Sequence, residues 1–119
     1  MSKSTLIVDD SSMMRKIIRK LLEPEGYEIV AEASSGEEGI EKYKELRPEL
    51  VTMDITMRGM DGISAAREIK TYDDAAKILF MSNLDEDKYR DEIEKLGGLG
   101  IASKHNSQET LSLLNNVSW

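Results

Sequence analysis

Short aliphatic runs alternate along the chain with segments in which apolar residues recur every three or four positions. The runs predict strands, because they are three to five residues long and rich in Leu, Ile and Val. The predicted strands are Thr5–Val8, Tyr27–Ala31, Leu50–Asp54, Ile78–Ser82 and, with a weaker pattern, Ile101–Ser103. The spaced segments predict five helices, each with one apolar face.

The apolar positions of the predicted helices have the spacing of a buried helix face. The five groups are Met13, Met14, Ile17, Ile18, Leu21 and Leu22; Ile40, Tyr43 and Leu46; Ile63, Ala66 and Ile69; Tyr89, Ile93 and Leu96; and Leu111, Leu114 and Val117. Pro24, Pro48 and the Gly97–Gly98 pair mark helix ends. This spacing predicts that Met13 and Met14 pack in the core.

The alternation of strands and helices predicts an α/β fold. The near-continuous apolar runs LIV and ILFM indicate strands buried on both faces, which is typical of a parallel sheet with helices on each side. Right-handed crossovers then give a doubly wound (βα)5 open sheet. We see no internal repeat and no linker, so we expect a single domain over residues 1–119.

Composition and charge narrow the class of protein. The chain has 39% hydrophobic and 33% charged residues, no cysteine and a formal net charge of −7. The negative charge argues against nucleic-acid binding, and no apolar run approaches the roughly 18 residues of a membrane span. The lack of cysteine is compatible with a reducing compartment. We expect a cytoplasmic monomer that is not inserted in a membrane.

Polar residues whose side chains can bind ions or take part in reactions follow four of the five predicted strands. Asp9 and Asp10 follow the first strand, Asp54 ends the third, Ser82 ends the fourth and Lys104 follows the fifth. In a parallel sheet these strand ends share one edge, so we expect the side chains to converge. Each position alone has an ordinary explanation as loop polarity. Their coincidence after four strands favours a site.

Three neighbouring carboxylates repel one another unless a cation lies between them. Mg²⁺ suits such a pocket, because it prefers oxygen ligands and commonly binds one or two carboxylates together with phosphate oxygens. Lys104 and the Ser82 hydroxyl would then serve the oxygens of a phosphoryl group, and Asp54 would be a nucleophile that forms an acyl phosphate. The alternative for the acidic pair is a helix cap, with Asp10 or Ser11 at the N-terminus of the first helix.

These residues lie in stretches that resemble a known family. The stretches are LIVDDSSMMRKII, EKYKELRPELVTMDITMRGMDG, ILFMS and IASK. Over essentially its full length the chain resembles the receiver domain of two-component response regulators, and it is most similar to the stand-alone CheY-like chemotaxis type. The resemblance implies a flavodoxin-like sheet with strand order 2-1-3-4-5.

The resemblance also implies a role for each residue of the acidic pocket. Asp54 corresponds to the phosphoacceptor. Asp10 would ligate Mg²⁺ directly and Asp9 mainly through water, with Asp54 and the backbone carbonyl of Thr56 completing the protein ligands.

Lys104 would pair with the phosphoryl oxygens, and Ser82 would supply the hydroxyl that moves toward them. The implied partners are a chemotaxis-type sensor histidine kinase as phosphodonor and a downstream protein bound by the fourth helix, fifth strand and fifth helix. We expect no output domain, because the sequence stops at Trp119, unless the chain is a fragment. The implied activity is self-phosphorylation and autodephosphorylation rather than turnover of a separate substrate.

The chain departs from the family pattern around this pocket. His105 follows Lys104 where proline is usual, so we expect a trans bond there, because a non-proline cis bond costs about 2.5–4 kcal/mol. Ile101 replaces an aromatic residue that takes part in switching. Arg58 replaces a proline and would place a cation over the pocket mouth, and Asn83 replaces a small residue after Ser82.

Three other functions remain open at this point. A degenerate receiver would act as a binding module without phosphorylation, and the changes at Ile101 and His105 favour it. A phosphorelay intermediate or phosphate sink would share the chemistry but pass the phosphoryl group onward. A Mg²⁺-dependent phosphatase of another α/β family would require an acid two residues after the nucleophile, where this chain has Thr56.

Overall fold

The computed structural model describes residues 2–83 and 87–119, and its centre is one parallel sheet. The strands are β1 (Lys3–Val8), β2 (Tyr27–Ala33), β3 (Leu50–Asp54), β4 (Ile78–Ser82) and β5 (Gly100–Ser103). Their order is β2-β1-β3-β4-β5, and each neighbouring pair is parallel. This confirms the predicted doubly wound fold and its strand order.

Within the described residues, five α-helices cover the two faces of the sheet. They are α1 (Ser12–Leu22), α2 (Gly36–Leu46), α3 (Gly62–Tyr72), α4 (Arg90–Lys95) and α5 (Ser107–Asn115). Side chains of α1 and α5 form one core cluster with the sheet, and those of α2, α3 and α4 form another on the opposite face. The strands are therefore buried on both sides, as their apolar runs predict. Among the described residues, no helix has the length and apolar character that crossing a membrane requires.

Four helices begin at a residue whose side chain accepts a hydrogen bond from a backbone N–H of the first turn. These residues are Ser11 for α1, Ser35 for α2, Asp61 for α3 and Asn106 for α5. Each satisfies one of the donors that a helix N-terminus leaves unpaired. Ser11, and not Asp10, is thus the cap of α1, which leaves the Asp10 carboxylate for another role.

Several element ends differ from the predicted ones. The strand β1 begins at Lys3 rather than Thr5, and β2 continues to Ala33 rather than ending at Ala31. Tyr89 belongs to a separate 3-10 turn (Asp87–Tyr89), and α4 begins at Arg90. The helix α5 ends before Val117, whose N–H instead bonds the carbonyl of Leu114 in a tighter turn. The weakly patterned strand β5 includes Gly100 and pairs with β4 along its whole length. Helix ends commonly tighten in this way, so the apolar spacing overestimates helix length.

The prediction that Met13 packs in the core is wrong. Met13 is 71% exposed and Ile17 is 46% exposed, whereas Ile18 and Leu22 are buried. Met14 packs against the cluster between α1 and the sheet. The reason is geometric: two adjacent columns of apolar residues span more than one side of a helix, and only one column lies against the sheet. An apolar pair therefore remains on the outside of α1.

The edge strand β2 contains a β-bulge at Val30. The register of the β1–β2 pair shifts there, and Val30 has no partner on β1. Ile29 packs in the cluster on the α1 side, while Ala31 packs in the cluster on the other side. One extra residue reverses the alternation of side chains along a strand. As a result, Glu32 points toward α1.

Candidate functional site

The carboxyl ends of β1, β3 and β5 bring two carboxylates and one ammonium into direct contact. Lys104 Nζ lies 2.8 Å from Asp9 Oδ2 and 3.0 Å from Asp54 Oδ1, and all three side chains are almost entirely buried. The Lys104 backbone N–H also donates to the Ser82 carbonyl at 2.8 Å, so this residue continues the pairing of β5 with β4. The predicted convergence is therefore present for Asp9, Asp54 and Lys104.

The acidic pocket has donor atoms suited to a divalent cation. One oxygen from each of Asp9, Asp10 and Asp54 lies within 4.8 Å of the others. Among the described residues, buried Asp54 Oδ2 has no hydrogen-bond partner, and Asp9 Oδ2 meets Lys104 as an ion pair without hydrogen-bond geometry. Buried oxygens without donors are costly unless something positive binds them. A hard cation with oxygen ligands fits this arrangement.

Burial dominates the ionisation of Asp54. It raises the pKa of the carboxyl group, the bond from Lys104 opposes that rise, and the charges of Asp9 and Asp10 add to it, so that the pKa reaches about 6. For Lys104, burial lowers the pKa, but its contacts with the Asp9 and Asp54 carboxylates outweigh burial and leave the pKa above its usual value. At pH 7 the pocket thus holds an ionised Asp54 beside a charged ammonium.

Ser82 and Thr56 lie at the same edge of the sheet. Ser82 is the last residue of β4 and is 4% exposed. Thr56 lies in the exposed bend two residues beyond the end of β3. Both positions are adjacent to strand ends that carry the pocket. The hydroxyl role of Ser82 and the metal-ligand role of the Thr56 carbonyl remain predictions.

The residues that depart from the family pattern occupy different environments. The Arg58 N–H donates to Asp10 Oδ2 at 3.3 Å, and its side chain, which is 94% exposed, reaches the same oxygen at 3.9 Å. Within the described ranges every peptide bond is trans, including the one between Lys104 and His105. His105 and Asn83 are exposed, and Ile101 is half-buried against the α2–α4 cluster. Lys104 therefore reaches both carboxylates without a cis bond after it.

The backbone of Asp54 is fixed by close contact with the start of α3. The N–H of Gly62 donates to the Ile55 carbonyl at 2.8 Å. A Cβ added at Gly62 would overlap the carbonyl oxygen of Asp54 and approach the Ile55 Cα to 3.0 Å. Only glycine permits this approach without a backbone shift, because both neighbours are main-chain atoms.

We expect Gly62→Ala to destabilise the protein by about 3 kcal/mol, since the end of β3 must move to admit the methyl group. Gly36→Ala is the matched control, because Gly36 is the first residue of α2 and its Cβ would meet only side-chain atoms, of Met60 and Ala65, at 3.1–3.2 Å. Met60 is flexible, so the control should cost less than about 1 kcal/mol. Urea unfolding monitored by circular dichroism measures both, and equal losses would contradict the close-contact explanation.

Arg15 and Glu32 lie near the site, although the sequence pattern predicts neither of them there. Arg15 belongs to a basic stretch of α1 that is typical of a solvated helix face. In the structure its guanidinium is turned inward, and Nη1 donates to the Asp9 carbonyl at 2.6 Å. Ion pairs from Arg19 and Arg15 lower the pKa of Glu32. Arg15 and Arg19 are four positions apart, which places them on one side of the helix, but no sequence pattern assigned them Glu32 as a partner.

Comparisons with known proteins agree with the fold. The family model described as the response regulator receiver domain matches residues 5–114. The chain is 41% identical over 119 residues to the chemotaxis protein CheY of Thermotoga maritima, covering 99% of each chain. It is 52% identical over 82 residues to the chemotaxis protein CheY of Bacillus subtilis, covering 69% of this chain and 68% of the relative.

Solved structures show the same architecture. The CheX–CheY–BeF3–Mg complex from Borrelia burgdorferi includes a chain that is 30% identical, with a TM-score of 0.88 over 94% of this chain and 86% of that one. The response regulator domain of Thermotoga maritima CheB is 28% identical, with a TM-score of 0.85 over the whole of both chains. By sequence, by fold and by the match of the family model, the chain belongs to the response regulator receiver domain family.

Proposed function

We propose that this protein is a CheY-like response regulator of chemotaxis that accepts a phosphoryl group on Asp54 in a Mg²⁺-dependent reaction. The observation that supports the proposal best is the contact of Lys104 with both Asp9 and Asp54 inside a pocket of three carboxylates. The relatives named chemotaxis protein CheY support the chemotaxis assignment.

The reaction would transfer a phosphoryl group from a phosphohistidine to a carboxylate. An Asp54 carboxylate oxygen attacks phosphorus, the P–N bond breaks, and the imidazole leaves with its electron pair and gains a proton. The buried Asp54 is ionised at pH 7 and available for attack, and Lys104 neutralises the oxygens of the arriving group. Mg²⁺ held by Asp9, Asp10, Asp54 and the Thr56 carbonyl would supply further positive charge for the phosphoryl oxygens.

The phosphodonor would be a sensor histidine kinase of the chemotaxis type. The exposed apolar pair Met13 and Ile17 lies on α1, beside the exposed Lys16 and Lys20. An apolar pair flanked by lysines suits a helical partner with an apolar and acidic face. The helix α1 also begins three residues after Asp9, so a donor seated there is close to the pocket.

The downstream protein would bind the α4–β5–α5 face. Lys104 connects this face to the pocket, because its side chain contacts Asp54 while its backbone extends β5. After phosphorylation, the phosphoryl oxygens would compete with the Asp54 carboxylate oxygen for Lys104. This competition would bias the position of β5. With Ile101 in place of an aromatic residue, that bias would not depend on an aromatic side chain at this position.

Intact-mass spectrometry after incubation with acetyl phosphate tests the proposal. We expect the wild-type protein to gain one phosphoryl group in the presence of Mg²⁺ and not in EDTA, and Asp54→Asn to gain none. Glu41→Gln, which removes an exposed carboxylate on α2, should behave as the wild type does.

Binding of beryllofluoride distinguishes two explanations for a protein that gains no mass. Either its phosphoryl group is hydrolysed quickly, or its pocket no longer accepts one. A wild-type protein that gains no mass and shows no Mg²⁺-dependent binding of beryllofluoride would contradict phosphoacceptance and favour the constitutive binding module. A phosphorylated protein that passes its phosphoryl group to an added histidine phosphotransfer domain faster than it hydrolyses would favour the phosphorelay alternative.

A further inference from the structure

We propose that Arg15, held in place by Glu32, is a positioning residue that sets the relative direction of the Asp9 and Asp10 carboxylates for metal binding. This inference rests on the proposed function, because it concerns the same Mg²⁺ site. It adds two residues that lie outside the acidic pocket and that are not metal ligands.

The Arg15 guanidinium joins three separate segments of the chain. Its Nη1 donates to the Asp9 carbonyl at 2.6 Å, and its Nε donates to Glu32 Oε1 at 2.9 Å. The Arg15 side chain is 16% exposed, so these bonds are shielded from water more than a surface pair would be. The fixed fork of a guanidinium allows both bonds at once.

The β-bulge on β2 supplies the second partner. With regular alternation, Glu32 would lie on the face opposite that of Ile29, but the extra residue at Val30 turns it toward α1. There Arg19 donates to Glu32 Oε2 through Nε at 3.0 Å and Nη2 at 2.8 Å, so both carboxylate oxygens are engaged. Bulges next to functional sites commonly redirect a side chain in this way.

The bond to the Asp9 carbonyl matters because that oxygen belongs to the peptide plane between Asp9 and Asp10. A peptide unit is planar, so holding its oxygen limits rotation of the unit and hence the direction in which the Asp10 chain continues. Asp9 is already fixed on its other side, since its N–H donates to the Ala33 carbonyl at 3.0 Å and its Oδ1 accepts from the Ser11 N–H at 2.9 Å. Arg15 completes this restraint at the position that separates the two acids.

A purely structural role would give a different pattern. If the arginine–glutamate network only holds α1 against β2, then Arg19 and Arg15 should be equivalent, because both bind Glu32. Arg19 is not equivalent to Arg15, because its guanidinium binds Glu23 as well as Glu32. Glu23 lies on the outside of the same helix end. Positioning predicts that only the loss of Arg15 changes the metal site.

The test is Mg²⁺ affinity measured by isothermal titration calorimetry for Arg15→Met, with Arg19→Met as the matched control. Both changes remove a guanidinium that binds Glu32 and keep the apolar stem. We expect affinity to fall about tenfold for Arg15→Met, the lower end of the range for residues that orient ligands. For Arg19→Met we expect less than a twofold change. Equal affinities of wild type and Arg15→Met, or equal losses in both variants, would overturn the positioning role.

A second measurement uses the dependence of phosphorylation on Mg²⁺ concentration. For Arg15→Met the half-maximal Mg²⁺ concentration should rise about tenfold, while the rate at saturating Mg²⁺ stays near the wild-type value, because Arg15 bonds the Asp9 carbonyl and Glu32 rather than the phosphoacceptor Asp54. Arg15→Lys keeps one donor and should restore part of the affinity; it also replaces Arg15→Met if that variant does not fold. A lysine variant no better than methionine would contradict the role of the carbonyl bond.

The two proposals fail in distinguishable ways. A wild-type protein that binds no Mg²⁺ would overturn the proposed function and the positioning role together. Wild-type Mg²⁺ binding and phosphorylation, with Arg15→Met unchanged in both titrations, would overturn the positioning role alone.

Discussion

We expect Asp54→Asn to stabilise the metal-free protein at pH 7 by about 1–3 kcal/mol. Burial and the neighbouring carboxylates raise the pKa of Asp54 from 3.8 to about 6. At about 1.4 kcal/mol per pH unit, that difference gives an upper value of about 3 kcal/mol for the cost of the charge. The asparagine side chain has nearly the same shape and carries no charge, while Lys104 keeps its contact with Asp9.

The pH dependence follows from the sign of this pKa change. The folded state prefers protonated Asp54, so the wild-type protein loses stability as pH rises from about 3.8 to about 6, and the loss is constant above that range. The advantage of Asp54→Asn should therefore be small at pH 4.5, grow up to about pH 6 and then level off. Urea unfolding in EDTA at several pH values between 4.5 and 7.5 measures it.

Mg²⁺ should reverse the order of the two proteins. A ligand that binds only the folded state stabilises it by about 2.7 kcal/mol at a concentration 100 times its Kd. The wild-type protein should gain this stability, and Asp54→Asn much less, because it lacks one ligand. The control Glu41→Gln removes one exposed charge and should follow the wild type throughout. If Asp54→Asn is less stable than the wild-type protein at every pH in EDTA, then burial and repulsion of the Asp54 carboxylate do not destabilise the folded protein.

The position of the pocket could be predicted from the sequence, because its residues follow parallel strands. Their carboxyl ends meet at one edge, so Asp9, Asp54 and Lys104 could be brought together from strand positions alone. Side-chain conformation does not affect this prediction, since each residue lies at or next to a strand end. The roles of Ser82 and the Thr56 carbonyl depend on finer geometry and remain predictions from resemblance.

The contacts that hold the backbone around the pocket could not be predicted, because they depend on local structural features that give no periodic pattern in the sequence. The bulge at Val30 is one inserted residue in a strand that otherwise alternates, and it determines which face Glu32 occupies. The inward turn of Arg15 depends on that face. The contact of Gly62 with the Asp54 carbonyl depends on the path of the loop after β3. The exposure of Met13 likewise depends on which of two apolar columns on α1 meets the sheet.

We expect Lys104→Met to destabilise the metal-free protein at pH 7 by about 3–5 kcal/mol. The ammonium lies 2.8 Å from Asp9 Oδ2 and 3.0 Å from Asp54 Oδ1, and the three side chains are almost entirely buried. Removing one partner of a buried ion pair leaves an uncompensated charge, and that charge, rather than the lost attraction, accounts for most of the cost. Lys16→Met, at an exposed position on α1, is the matched control and should change stability by less than about 0.5 kcal/mol.

Two measurements separate this explanation from simple loss of packing. The Lys104→Met loss should be smaller at pH 5 than at pH 7.5, because the stranded carboxylates take up protons at lower pH. Saturating Mg²⁺ should return part of the lost stability, since a cation at the acidic pocket replaces the missing positive charge. A packing defect would respond to neither condition, and equal losses at all pH values with and without Mg²⁺ would contradict the electrostatic explanation.

The double variant Asp54→Asn with Lys104→Met gives the most direct test of how these two residues depend on each other. If the cost of losing Lys104 arises from the charge left on Asp54, then removing that charge first should reduce the cost by at least about 1 kcal/mol. Asp9 still carries a charge that faced Lys104, so the cost should not vanish. Additive effects of the two single changes would mean that Lys104 acts on Asp9 alone and that Asp54 is stabilised by other groups, in which case its pKa should not respond to the loss of the lysine.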